Sequence, residues 1–160
     1  MGMTRKEGWE LRLADSIEAA RAKPYVLGEH DCLRVALGAV EAITGVEMWS
    51  RFAGKYSSRR EALRLFLDRS RWSEFYGGEI PKEKECEAQG ATLTIFETVF
   101  SILFGTLPID ARLARKGDVV KYVDREEHLG VCVGAQVAVL KDDGLSFVPR
   151  SKCSLCWRIG

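Results

Sequence analysis

The sequence predicts an α+β fold, with N-terminal helices packed on a small C-terminal antiparallel sheet. Three observations predict it. Apolar residues recur at helical spacing through residues 4–22, 32–45, 58–72 and 92–104. From Gly117 onward the pattern changes to short apolar runs separated by turn residues. Helices come first and strands second, an order that suits an α+β fold rather than alternating βαβ units.

Each element follows from local chemistry. Trp9, Leu11, Leu13, Ile17 and Ala20 give a first helix, from about Thr4 to Ala22, its apolar face, and Pro24 ends it. After a turn containing Gly28, Asp31 is placed to cap a second helix. Leu33, Val35, Ala36, Leu37, Ala39, Val40 and Ile43 carry that helix to a stop at Thr44-Gly45, and Cys32 falls in its first turn. Glu47 to Lys55 reads as an irregular connection. Ser57 or Ser58 caps a third helix, with Glu61 spaced for a capping box with Ser58, and the apolar pattern runs to about Trp72. Gly77-Gly78 and Pro81 mark a loop, and Lys82 to Glu87 a charged, solvated stretch. Thr92 to Phe104 is the most apolar helix and reads as core or partner-facing.

The strands are then Val119–Val123, His128–Val133, Gln136–Leu140 and Leu145–Val148. A polar turn at Asp124–Glu127, a tight hairpin at Gly134-Ala135 and an Asp142-Asp143-Gly144 turn separate them. Leu155 to Ile159 is expected as a final edge strand.

Composition bounds the function. At 160 residues the chain is expected to form one domain, 1–160, with 46% hydrophobic and 29% charged residues. A net charge of +1 gives no electrostatic footprint for nucleic acid, so none is expected as a partner. Met1 to Ala20 lacks an apolar leader segment, and synthesis in the cytoplasm is expected. The most apolar stretch, Thr92–Ile109, contains Glu97, Gly105 and Pro108 and falls short of the ~20 residues of a membrane span. Five cysteines without secretory context read as reduced thiols.

Cys32 is the residue with chemical promise. A helix N-terminus carries about half a positive charge and free N–H groups, which favour a thiolate. A cysteine nucleophile needs a base, and the chain has 2 histidines, His30 and His128. His30 stands two residues before the cysteine, where a local turn hydrogen bond suits it better than a base's role. Asp31 suits capping, and its charge opposes thiolate formation. The plainer readings are that Cys32 is a small buried helix residue and His128 a solvent-facing residue at a strand start. Cys153 and Cys156 have C-x-x-C spacing and, with Cys86 and Cys132, can supply four thiolates to zinc or an iron–sulfur cluster. The spacing of the other two is not diagnostic, and no metal or cofactor is expected.

The order of these motifs resembles the NlpC-type branch of the papain-like cysteine peptidases. Tyr25, Gly28, Asp31 and Cys32 match its Tyr-x-x-Gly approach and Asp-Cys nucleophile turn. Gly117, Asp118, Val119 and Val120 match its Gly-Asp-Leu-Val strand, and His128, Gly130, Val131 and Gly134 its His-Val-Gly-Ile-Tyr-Leu-Gly strand. The chain is similar, more closely, to a small family of phage and prophage proteins encoded with tail genes. The shared marks are Trp9 to Leu13, the Gly-x-His-Asp-Cys turn, Gly117–Val120, Gly130–Gly134, Asp143–Leu145 and the closing Cys156 to Ile159. The resemblance does not extend over Arg71 to Arg112, which reads as a helical insertion.

The resemblance implies a phage tail-tip protein, made in the cytoplasm of the bacterial host and incorporated in the virion tail beside other tail-tip proteins, that is a peptidase or amidase acting on peptidoglycan stem peptides. Cys32 would attack the amide carbonyl, and His128 would take its proton and return it to the leaving amine. Backbone N–H groups around Asp31 and Cys32 would form the oxyanion hole. Two departures stand out. Leu33-Arg34 replaces the usual Ser-Gly, and the polar residue that orients the histidine from the next strand is missing. Leu140 and Lys141 would pair back near His128, leaving Asp142, or Asp143, as a possible orienting group. The alternative is a catalytically inactive homologue, built into the virion tail as a structural or assembly component and partnered by other tail-tip proteins.

Overall fold

The computed structural model describes residues 3–71 and 93–160. Among these residues the chain runs α1 (Trp9–Arg21), α2 (Cys32–Thr44), α3 (Arg59–Leu67), α4 (Ile95–Phe104), β1 (Ile109–Asp110), β2 (Val119–Val123), β3 (Glu127–Cys132), β4 (Gln136–Lys141), β5 (Gly144–Pro149) and β6 (Cys153–Trp157). The strands form one antiparallel sheet in the order β1-β6-β2-β3-β4-β5. The expected α+β class is thus observed.

Short-range signals set the helix ends. Asp31, in extended conformation, accepts the Arg34 N–H at 2.9 Å and starts α2 at Cys32. Gly45, at φ 76°, closes it. α1 begins at Trp9 rather than Thr4, because Gly8 immediately before it adopts φ 70° and breaks the helical path. Ser58 caps α3 by accepting the Glu61 N–H at 3.1 Å, but Glu61 returns its carboxylate to the Ser57 N–H at 2.7 Å, one residue earlier than the expected box. α3 stops at Leu67, and Arg69–Arg71 form a 3-10 turn. The expected helix end at Trp72, the Gly77–Pro81 loop and the Lys82–Glu87 stretch lie outside the described residues. α4 carries a complete capping box between Thr94 and Glu97.

The main core lies between the helices and one face of the sheet. It joins Leu13 and Ile17 of α1 and Leu37, Val40 and Ile43 of α2 to Leu129, Val131 and Trp157 of the sheet. α4 belongs to the same core. Val99, Phe100, Leu103 and Phe104 are buried there, and Trp157 donates its indole N–H to Ser101 Oγ at 3.0 Å. α4, which falls in the stretch read as an insertion, is therefore a core element. A second cluster, with Val120, Cys132, Val137, Val139 and Cys156, packs on the opposite sheet face under Ala111 and Ala114. No helix among the described residues is long and apolar enough to cross a membrane.

The tail strand corrects an expectation. β6 is not an edge: it pairs with β1 on one side and β2 on the other. The two residues of β1 cover the edge that the sequence pattern leaves open. The Gly-Asp motif explains what holds this arrangement. Buried Asp118 accepts from Arg5 Nη2 at 3.2 Å, the Arg115 N–H at 2.8 Å and the Ile159 N–H at 3.1 Å. It therefore ties residues near both ends of the chain to the start of β2. Gly117, at φ 92°, has no room for a side chain, since a Cβ there would lie 2.9 Å from Ile43 Cδ1.

Candidate functional site

Cys32 and Asp31 stand where the sequence places them, at the start of α2. The buried Asp31 carboxylate accepts three hydrogen bonds, from the Arg34 N–H at 2.9 Å, the Gly28 N–H at 2.9 Å and the Tyr56 hydroxyl at 2.5 Å. Capping is thus its observed role. The Cys32 side chain points into a cleft of about 120 Å³ walled by Leu27, Leu33, Phe66, Phe96, Phe100 and Leu129. Burial of the sulfur pushes its pKa up to about 11. The Leu129 backbone N–H favours the thiolate and the charge of Asp31 opposes it, so desolvation wins. Tyr56 is likewise raised, by burial first and then by Asp31.

His128 is not brought to this cleft. β2 and β3 pair Lys121 with Leu129 and Tyr122 with His128. Leu129 and Val131 face the helices, so strand alternation turns His128 to the other face. There its ring stacks on Tyr122, with centroids 6.0 Å apart and planes at 26°. Its Nε2 lies 2.9 Å from Asp124 Oδ1, and Lys141 Nζ approaches the other oxygen at 3.5 Å. His128, Tyr25, Arg59, Lys141 and Asp142 line a separate charged cleft of about 300 Å³.

The remaining candidates separate clearly. Asp142 shares the cleft with His128, but Asp124 is the carboxylate bonded to it. The orienting group comes from the turn before the histidine, not from the following strand. His30 donates Nε2–H to the Ala20 carbonyl at 3.0 Å, anchoring the turn to the end of α1 rather than bonding within the turn. Cys132, Cys153 and Cys156 share the second cluster, and Cys86 lies outside the described residues. β2 lies between the strand of Cys132 and that of the other two, separating them by two strand spacings of about 4.8 Å each. Burial raises both Cys153 and Cys156 to about 11, which keeps them neutral thiols. Among the described residues no group of three or more His, Cys, Asp or Glu side chains is arranged to hold a metal ion.

A family profile described as a domain of unknown function, DUF6950, matches residues 4–77 and 84–159. The chain belongs to the DUF6950 family. No curated protein and no solved structure matches it.

Two further features of this DUF6950 chain escaped the sequence reading. Tyr56, just past the connection read from Glu47 to Lys55, looks like any aromatic between two helices until its hydroxyl is seen on Asp31. Lys121, on a predicted strand, is buried on the helix-facing side, with Nζ 2.8 Å from Glu97 Oε1 and 3.1 Å from Glu127 Oε1. Burial alone would lower its pKa, but the hydrogen bonds to Glu97 and Glu127 outweigh that and hold it raised. The only available signal was a lysine at an inward position of an apolar strand, which demands a buried carboxylate partner.

Proposed function

We propose that this chain is a catalytically silent domain of papain-like ancestry that serves as a structural or assembly component of a phage tail tip. The motif order supports the ancestry and the tail association. One observation carries the silence: Cys32 faces Leu129 and Asp31, while His128 is held against Tyr122 and Asp124 on the other side of β3. General-base activation needs an imidazole within hydrogen-bond reach of the thiol. Here the sulfur is desolvated, neutral and next to a carboxylate.

The test uses the phage that encodes the chain. Cys32→Ser should leave tail assembly and infectivity unchanged, whereas deletion of the coding sequence should give tailless or aberrant particles. Loss of infectivity in normally assembled Cys32→Ser particles would restore the stem-peptide hydrolase reading. Normal tails after deletion would remove the tail-assembly role.

A further inference from the structure

A third groove lies between α1 and α2, apart from the clefts of Cys32 and His128. Its volume is about 160 Å³. Three basic side chains line it, Lys23, His30 and Arg34, together with the Ser16 hydroxyl and one carboxylate, Glu41.

Arg34 is held there by packing rather than by a counter-charge. Its Cζ lies 5.6 Å from the Trp49 ring centre. Its Nη1 lies 3.1 Å from where a side chain on Gly38 would begin. A glycine in the middle of a helix weakens it. Here the missing side chain leaves the space the guanidinium occupies. Among the described residues, neither Arg34 nor Lys23 is ion-paired with a carboxylate. The bond from His30 Nε2 to Ala20 fixes that ring and leaves Nδ1 for another partner.

We propose that this groove binds a phosphate monoester. The Arg34 fork offers paired N–H donors, the Ser16 hydroxyl adds a donor from α1, and Lys23, two residues past the end of that helix, adds another. A planar carboxylate would be satisfied by the fork alone, whereas a tetrahedral phosphate presents oxygens to both helices. The two permanent cations outweigh the single carboxylate of Glu41. The phosphate can belong to a soluble ester or a lipid headgroup, which share this chemistry.

Calorimetric titration of the full chain at low ionic strength, with inorganic phosphate and with glycerol 3-phosphate, tests the site. Saturable binding is expected, weakened about tenfold or more by Arg34→Gln or Lys23→Gln. Arg12→Gln, elsewhere on α1, should change nothing. The backbone N–H of Arg34, not its side chain, caps α2. The variant should therefore keep its fold, and its thermal midpoint checks that. Co-sedimentation with phosphatidic acid vesicles forms the second arm. Vesicle binding abolished by Arg34→Gln supports a headgroup, and binding of glycerol 3-phosphate alone supports a soluble ester. Three results would each overturn the site: neither probe binding saturably, acetate binding as well as phosphate, or Arg34→Gln binding like the parent chain.

Discussion

The Tyr56 hydroxyl donates to Asp31 Oδ2 at 2.5 Å and so joins the connection after α2 to the cap of that helix. Asp31 is 2% exposed, and its other two donors are backbone groups. Tyr56→Phe removes one donor from a buried carboxylate and should cost about 1–3 kcal/mol, read from urea denaturation. Asp31→Ala should cost at least as much, because it also removes the helix cap and strands the Tyr56 hydroxyl. Equal stability of Tyr56→Phe and the parent chain would show that water replaces the hydroxyl.

Thiol reactivity should be low where the family resemblance expects a nucleophile. Cys32 stays neutral to about 11 in the folded chain, against ~8.5 for a free thiol. Limiting iodoacetamide at pH 5 to 9, with the modified cysteine identified by mass spectrometry, should leave Cys32 no faster than an unfolded control. Selective alkylation of Cys32 below pH 8 would contradict a thiol held neutral by desolvation.

The same shift makes stability depend on alkaline pH. A thiol whose folded pKa is raised contributes stability that is fully present below its unfolded value. That contribution is lost as pH rises toward the folded value, because the unfolded chain releases its proton first. Cys32, Cys153 and Cys156 all rise to about 11, so denaturation midpoints should fall between about pH 8.5 and 11. Cys32→Ala should flatten part of that slope.

Lys121→Met should be costly on its own. It leaves Glu97 buried without its cation, a loss of about 3–5 kcal/mol. Adding Glu97→Leu should recover much of that, though the bond that the Thr94 N–H donates to the Glu97 carboxylate in the α4 cap is then gone. A double variant no more stable than Lys121→Met would assign the cost to packing instead of charge.

His128→Ala should leave Cys32 alkylation unchanged. It should raise the Asp124 carboxyl back toward the ordinary range, since the hydrogen bond from His128 is the largest cause holding it low. Carboxyl-carbon NMR titration of Asp124 reads this. A slower Cys32 reaction in His128→Ala would reveal a coupling across β3.

What the sequence made legible was mostly short-range. The Asp31 cap, the Gly45 stop, the Ser58 cap of α3 and the Gly134-Ala135 hairpin all depend on residues within a few positions, and each is found. The direction of His128 depends on which face Leu129 takes against α2, a matter of tertiary parity. Motif matching aligns the residue type without its orientation. Asp124 was read only as turn polarity, although it stands four residues before the histidine it binds. β6 was misplaced because its partners, Val120 and Ile109, lie far along the chain, and nothing in residues 153–157 distinguishes a central strand from an edge.

That placement bears on how the chain acquires its shape. The strand latest in sequence fills the slot between β1 and β2, and among the described residues β1 pairs with β6 alone. Until β6 arrives, β2 presents an open row of amide and carbonyl groups on that side. Closure at high sequence separation is slow. During that delay the vacant slot is the place where β6 of a second nascent copy would have to enter for strands to be exchanged, in competition with the tethered strand, whose effective concentration is far higher.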